Sequence, residues 1–373
     1  MAEEIKSTAK EYVEVDRNMA IETSFPETDV RFYDVRKPPF DLYNLYCPET
    51  EPIFHRLPFD VAAATSAQVA KLEREPAGGR LKFTTDSKYI ILRAEYEVIG
   101  RNTHMTLEMT AGFDLYVDDP DSTRYIAPFL LPYKTQDSYE QIVRFEGNRR
   151  ERSYVIHFPL HSVVKNVYIG IQEDATLKPG RKYRNDKPVI IYGSSIVHGT
   201  AATRPGLCYP NMLSRRLNMN CINLGFSGNA KAELPIEEYM RELPMCMFIS
   251  DYDYNAPNVD YLRATHQRMY DLVREKNPDI PYIMITKPNT ATRPNDYIAR
   301  RDVVIDTYRH AREKGDKHVY FIDGETFFIG KYEDDSTMDG VHPQDLGFAL
   351  MADKIESVMR RAMMEYDCFG EGV

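Results

Sequence analysis

The chain changes its hydrophobic rhythm near its middle. Over residues 31–175 apolar and polar positions alternate in short runs. In RLKFTTDSKYIILRAEYEVI (80–99), Leu81 and Phe83, then Ile90, Leu92, Ala94 and Tyr96, alternate with polar neighbours around a turn at Asp86-Ser87. FDLYVDD (113–119), SYVIHFPL (153–160) and VVKNVYIGIQ (163–172) read the same way. A period of two belongs to a strand with one face buried. Pro and Gly punctuate the runs and no long stretch has a 3.6 period. This half is therefore expected to be an all-β, jelly-roll-like sandwich. Residues 1–30 are polar and are expected to form an arm that packs on a domain. LKPGRKYRNDKP (177–188), with two prolines, one glycine and five basic residues, reads as the linker.

Beyond it, near-continuously apolar runs at 189–192, 221–224, 245–250, 282–286 and 318–322 alternate with helical patterns. The helices are expected at 207–218, 232–242, 259–276, 296–314 and 345–366. In the last, Leu346, Ala349, Leu350, Ala352, Ile355, Val358 and Met359 share one face. Apolar strands separated by helices predict a doubly wound, parallel five-stranded sheet, whose ligands bind beyond the carboxyl ends of the strands. The chain thus divides into 1–180 and 181–373.

Composition narrows the functions. At 373 residues two domains are expected. The formal charge, 47 − 57 = −10, argues against nucleic acid and against an anionic membrane surface as partners. No Trp occurs among 26 Tyr and 17 Phe, so any stacking on a ligand falls to Tyr or Phe. The five cysteines are scattered, with no Cys-x-x-Cys pair, which disfavours zinc or a disulfide framework. Cys221 and Cys246 sit inside apolar patterns and are expected to be buried. MAEEIKSTAKEY carries no apolar core of a signal peptide, and no run approaches 18 apolar residues. As given, the chain is expected to be cytoplasmic, although a secreted chain trimmed of its leader would look alike. The oligomeric state is open.

Four loops carry chemistry, three after strands and one before the last helix. Ser194-Ser195 follow the first strand of the second half. Gly225-Phe226-Ser227-Gly228-Asn229 follow the second, and Asp251 through Pro257 follow the third. Asp339-Gly340-Val341-His342-Pro343 precedes the last helix. Ester hydrolysis needs this set. A serine hydroxyl is a poor nucleophile until a base takes its proton, and His342 can be that base. A carboxylate three residues earlier, Asp339, can hold the other ring nitrogen within one loop. Backbone N–H groups and an asparagine amide can bind the oxyanion. Asp251 and Asp253 have no His at ligand spacing and are read as structural, so neither a metal nor an organic cofactor is expected. His198, Arg204 in the 199–206 loop, and Lys287 after the fourth strand are candidate substrate contacts.

With these residues on the page, the second half resembles the SGNH/GDSL hydrolases, flavodoxin-like serine esterases marked by four blocks. Gly193-Ser194-Ser195-Ile196 stands at block one, with Ser195 at the nucleophile position. Asn223 to Asn229 stands at block two, with Gly228 at the oxyanion position. Block three keeps Asn255, and Asp339-x-x-His342 is block four, intact. The resemblance covers about 188–366. It departs at Ser194, where the family has Asp, and at Asp253-Tyr254-Asn255-Ala256, where the family has Gly-x-Asn-Asp. Both departures match a subgroup with an N-terminal β-sandwich, which FYDVRKPPF (32–40) and FHRLPFDV (54–61) also resemble. The resemblance implies Ser195, His342 and Asp339 as a triad. It implies the N–H groups of Ser195 and Gly228 with the Asn255 amide as oxyanion donors. Short acyl esters, acetyl groups on carbohydrate among them, are the implied substrates. A thioesterase or lipid-directed acylhydrolase would use the same residues, and a non-catalytic carbohydrate-binding protein is the reading from another class.

Overall fold

The computed structural model describes residues 25–120, 123–292, 294–330 and 332–369. Most of the expected arm, residues 1–24, lies outside the described residues. Its last residues dock on the sandwich. Phe25 packs with Val30 and Phe32 against Tyr89, Ile91 and Ile142, and Glu27 pairs with Arg144.

Among the described residues the N-terminal half holds ten strands: β1 (Val30–Asp34), β2 (Asp41–Tyr43), β3 (Arg80–Thr85), β4 (Tyr89–Val98), β5 (Phe113–Asp118), β6 (Thr123–Phe129), β7 (Ser138–Arg144), β8 (Arg152–His157), β9 (Val163–Gln172) and β10 (Leu177–Pro179). They form two antiparallel sheets. One has the order β1-β9-β4-β7; the other has β10-β3-β8-β5-β6, with β2 paired to β3. The turn at Asp86-Ser87 carries the chain from one sheet to the other, because β3 and β4 pair with different partners. Between the sheets lies a core of alternating side chains that includes Leu81, Phe83, Ile90, Leu92, Phe113, Leu115, Ile156 and Ile169. The first three residues of the expected linker, β10, belong to this sandwich.

The half is not all β. Helices α1 (Phe59–Thr65), α2 (Ala67–Leu72) and α3 (Leu107–Ala111) interrupt it. FDVAAATSAQVAKL is rich in good helix formers. Ser66 ends the first helix and caps the second, its hydroxyl accepting from the Val69 N–H at 3.1 Å. The strand-like frame around this stretch hid two helices too short to show a period.

The C-terminal half adds β11 (Val189–Gly193), β12 (Cys221–Gly225), β13 (Met247–Asp251), β14 (Tyr282–Ile285) and β15 (Val319–Ile322), all parallel, in the order β12-β11-β13-β14-β15. Helices α4 (Ser195–His198), α5 (Tyr209–Leu217), α6 (Leu234–Glu242), α7 (Val259–Lys276), α8 (Tyr297–Glu313) and α9 (Asp345–Glu365) connect them. The five expected strands and five long helices are present within a few residues of their expected bounds. The four-residue α4 was not foreseen. Alternate strand residues feed two cores. Val189, Ile191, Ile249 and Ile283 face α5 and α9; Ile190, Tyr192, Phe248 and Tyr282 face α6, α7 and α8. The second core also takes Leu57, Ala62 and Val69, so α1 and α2 pack on the α/β layer rather than on the sandwich. Cys221 and Cys246 are buried as expected. Among the described residues, no helix is long and apolar enough to cross a membrane.

Arg80 joins the halves. Its side chain is fully buried at the start of β3 and donates to Ser214 Oγ (2.9 Å), Asn220 Oδ1 (2.7 Å) and the Cys221 carbonyl (2.7 Å). Each buried acceptor left without its donor costs about 1–3 kcal/mol. Arg80→Ala should therefore lower Tm by ~5–10 °C in differential scanning calorimetry. Arg80→Lys should rescue little, because one ammonium cannot reproduce the divergent fork of the guanidinium.

Candidate active site

The parallel register sets Gly193, the last residue of β11, beside Gly225 and Asp251. A Cβ at Gly193 would lie 2.1 Å from the Asp251 carbonyl oxygen, and one at Gly225 would lie 2.1 Å from the His198 nitrogen. Only glycine fits at either place, so the three strand ends close on one another. The chain then turns sharply into α4. The Ser194 N–H bonds the Asp251 carbonyl (3.0 Å), and its hydroxyl caps the helix by accepting from the Ile196 N–H (3.2 Å). Ser194, where the resemblance expects Asp, is thus a helix cap. Ser195 opens the helix, and its own N–H has no acceptor within the turn.

Across the sheet end, residues 336–344 form a tight loop closed by the Met338 N–H to the His342 carbonyl (2.9 Å) and the Gln344 N–H to the Ser336 carbonyl (3.1 Å). Inside it, Asp339 Oδ1 accepts from the N–H groups of Val341 (3.0 Å) and His342 (2.8 Å), and Oδ2 lies 2.7 Å from His342 Nδ1. The other ring nitrogen, Nε2, lies 3.0 Å from Ser195 Oγ. With a proton on Nδ1 for the carboxylate, Nε2 keeps its lone pair for the serine hydroxyl. Partial burial pushes the Asp339 carboxyl up, but the His342 backbone N–H, the His342 ring and the Val341 N–H outweigh it and hold it below the ordinary carboxylate value. The Ser195 side is nearly covered, at 8% exposure, whereas the Asp339 side chain is 37% exposed.

Block two lies beside them. Gly228 has a positive φ of +69° and open space around it, and its N–H meets no protein acceptor among the described residues. Asn255 Oδ1 accepts from the Ala230 N–H (3.3 Å), which leaves the NH₂ end of the amide to donate elsewhere.

The three candidate substrate contacts lie in other roles. His198 is fully buried; Nε2 meets the Leu160 carbonyl (2.7 Å) and Nδ1 meets Ser227 Oγ (3.1 Å), so it does not face the cleft. Arg204 turns to the sandwich, bonded to Asp114 Oδ2 (2.7 Å) and stacked 3.8 Å above the Tyr125 ring. Lys287 Nζ closes its own loop on Thr290 Oγ1 (2.5 Å) and the Thr292 carbonyl (3.1 Å). A positive charge near a strand end was the only signal for the last two, and intramolecular partners claimed both.

Residues the sequence did not mark come from the N-terminal half. Arg56, fully buried and 4.8 Å over the Phe226 ring, donates to the carbonyls of Gly225 (2.8 Å) and Leu72 (2.7 Å). Glu75, His161 and His198 bring one potential ligand atom each within 4.8 Å of one another. They fit a cation poorly. The His198 Nε2 lone pair that a metal would need is replaced by the N–H that the Leu160 carbonyl accepts. No local pattern could have revealed contacts that span such distances along the chain.

These observations meet the comparisons with known proteins. Residues 186–360 match the GDSL-like lipase/acylhydrolase family, and residues 30–177 match the N-terminus of esterases of the SGNH-hydrolase type. The C-terminal half is thus that of the GDSL-like lipase/acylhydrolase family and the N-terminal half that of SGNH-type esterases, and the protein is a GDSL/SGNH-type hydrolase. A protein from Bacteroides ovatus ATCC 8483 assigned as a GDSL-like lipase is 26% identical. It superposes with a TM-score of 0.79 over 91% of this chain and 100% of its own. The salicylyl-acyltransferase SsfX3 from a tetracycline biosynthetic pathway is 17% identical, with TM-score 0.70 over 92% and 100% of the two chains. A family two carbohydrate esterase from Cellvibrio japonicus is 12% identical, with TM-score 0.59 over 90% and 98%. Among curated proteins, none matches the sequence.

Beneath the site, burial and the neighbouring Asp253 push the Asp251 carboxyl up to about 8, against a hydrogen bond from the Tyr209 hydroxyl (3.1 Å). An acid whose folded value exceeds its unfolded value holds its proton more tightly when folded. Its favourable contribution is present below about pH 4 and is lost as pH rises toward 8. Asp251→Asn, which keeps an acceptor for Tyr209, should match wild type in Tm at pH 5. At pH 8 it should exceed it by ~2–4 °C, as followed by circular dichroism melts.

Proposed function

We propose that the protein is a serine esterase that hydrolyses short acyl esters, acetyl above all, carried on carbohydrate. The observation that carries the reading is the unbroken line from Asp339 Oδ2 through His342 to Ser195 Oγ, at 2.7 and 3.0 Å. Ser195 Oγ attacks the ester carbonyl while His342 Nε2 takes its proton, and Asp339 holds the ring in the required tautomer and stabilises the imidazolium. The N–H groups of Ser195 and Gly228 and the Asn255 amide donate to the oxyanion. His342 then gives its proton to the leaving alcohol. Water, deprotonated by the same nitrogen, hydrolyses the acyl-enzyme and restores Ser195. No step needs a metal or an organic cofactor.

Two features support a carbohydrate substrate. Asp339 and Gly228 stand at an exposed rim, which lets a bulky, polar alcohol approach Ser195. The shared fold extends to structures named as carbohydrate esterases, including an acetyl xylan esterase from Butyrivibrio proteoclasticus at TM-score 0.55.

Hydrolysis of p-nitrophenyl acetate by wild type and Ser195→Ala, side by side, tests the reading. The variant should lose about 10⁴-fold or more in kcat. Equal activity in both would reject Ser195 as nucleophile. Asn255→Ala should lose about 10²–10³-fold in kcat if its amide serves the oxyanion. Acetylated xylo-oligosaccharides should then be turned over with higher kcat/KM than long-chain p-nitrophenyl esters, and the reverse order would reject the substrate class.

A further inference from the structure

Under the Gly228 loop lies a closed ring of polar side chains drawn from both halves of the protein. Glu75 Oε2 stands 3.1 Å from His161 Nδ1, and His161 Nε2 stands 3.1 Å from Thr200 Oγ1. Thr200 Oγ1 is 3.2 Å from Ser227 Oγ, and Ser227 Oγ is 3.1 Å from His198 Nδ1. His198 Nε2 returns to Glu75 Oε2 at 3.2 Å while also meeting the Leu160 carbonyl. The two imidazoles stack, with centroids 4.2 Å apart. His198 and Thr200 are three and five residues past Ser195, and Ser227 immediately precedes Gly228. Glu75, after α2, and His161, before β9, belong to the N-terminal half.

Two opposite proton orders satisfy every link, and in each of them one of the two imidazoles donates from both nitrogens. Glu75 can only accept, and it accepts from His161 Nδ1 and His198 Nε2. With a single proton on His198, at Nε2, its Nδ1 accepts and the Ser227 hydroxyl donates to it. Ser227 oxygen accepts from the Thr200 hydroxyl, and Thr200 oxygen accepts from His161 Nε2. Burial, reinforced by the nearby His161, pushes His198 down to about 4, which fits a ring carrying a single proton. Burial raises the Glu75 carboxyl, but the hydrogen bonds from His161 and His198 outweigh it and hold it well below its ordinary range. A buried, fully satisfied network of this kind rigidifies what it touches. Here it fixes the Ser227 side chain, and with it the backbone turn that presents the Gly228 N–H. Arg56 braces the same turn from below by holding the Gly225 carbonyl.

We propose that Glu75 and His161 are positioning residues for the hydrolytic site, holding the Gly228 N–H at its oxyanion-facing place through Thr200, Ser227 and His198. This rests on the reading of Gly228 as an oxyanion donor. The N-terminal half then contributes to catalysis without touching substrate. An N–H that must meet a charge formed only in the transition state tolerates little displacement, so loosening the ring acts on kcat rather than on KM.

The test uses the full-length enzyme and p-nitrophenyl acetate. Ser227→Ala should lower kcat about 10- to 100-fold with KM within about twofold and Tm within ~2 °C of wild type. Ser227→Thr, which restores the hydroxyl, should recover most of the loss. Glu75→Gln should lower kcat in the same sense, and Glu75→Gln with Ser227→Ala together should lose no more than the larger single loss, because both break one ring. If Glu75→Gln does not fold, Thr200→Val replaces it. Affinity for phenylboronic acid, a tetrahedral mimic, should fall with kcat in Ser227→Ala. An unchanged kcat in Ser227→Ala, or losses that multiply in the double variant, overturns the proposal. Ser195→Ala in the same assay separates the two readings. If that variant stays active, the esterase mechanism fails; if it is inactive while Ser227→Ala keeps the wild-type kcat, only the positioning role fails.

Discussion

Three parallel strands end where no side chain fits between them. The backbone of β11 touches that of β13 at Asp251, and β12 touches the end of α4, because Gly193 and Gly225 have no Cβ to keep them apart. This contact forces the chain out of the sheet at Ser194 and leaves Ser195 at the tip of a turn braced by the Asp251 carbonyl. The 225–230 and 251–255 turns inherit their positions from the same strand ends. The one remaining part, the loop from Ser336 to Gln344, needs only to fold over this edge. It does so as a self-contained unit because the Asp339 carboxylate binds both the backbone and the imidazole of the loop that carries it.

The N-terminal half has a different physical character from an appended module. A module meets its neighbour through exposed, replaceable polar contacts. Here the junction is built from buried guanidinium groups: Arg80 reaches the start of β12 and Arg56 the end of it. Asn44 accepts from the Asn223 N–H (2.7 Å), and Asn223 in turn donates to the Val197 carbonyl (2.7 Å), so the middle of β12 and the end of α4 are tied to the same source. Each of these groups would be costly to bury alone, and each finds a partner in the other half.

Much of this was legible in the sequence, for physical reasons that differ by region. Continuous apolar strands such as VIIY and MFIS are buried on both faces, so composition alone marks them, and the long amphipathic helices carry seven or more residues of consistent phase. That Ser195, Asp339 and His342 meet was legible because a turn after a strand and an Asp-x-x-His loop place those residue types at one sheet edge. Helices α1 and α2 were not, since seven and six residues are too few for a 3.6 period to stand out. Arg204 and Lys287 misled because a cation near a strand end looks alike whether it meets a ligand or a buried carboxylate such as Asp114. Glu75 and His161 left no trace, because nothing in their neighbourhood along the chain anticipates Thr200 or Ser227.

The path of the chain also bears on how the protein is made. Leu57, Ala62 and Val69 leave the ribosome early, yet they join a core built by the second half, with α6 packed on α1. Arg56 waits for Gly225, 169 residues further on. During synthesis the sandwich can close its own core, while α1 and α2 stay exposed until the second half has emerged. Such long-range closure is slow, because loop entropy must be met before the contacts form. The α/β half therefore reaches its finished state last, and it does so around a segment that was translated first.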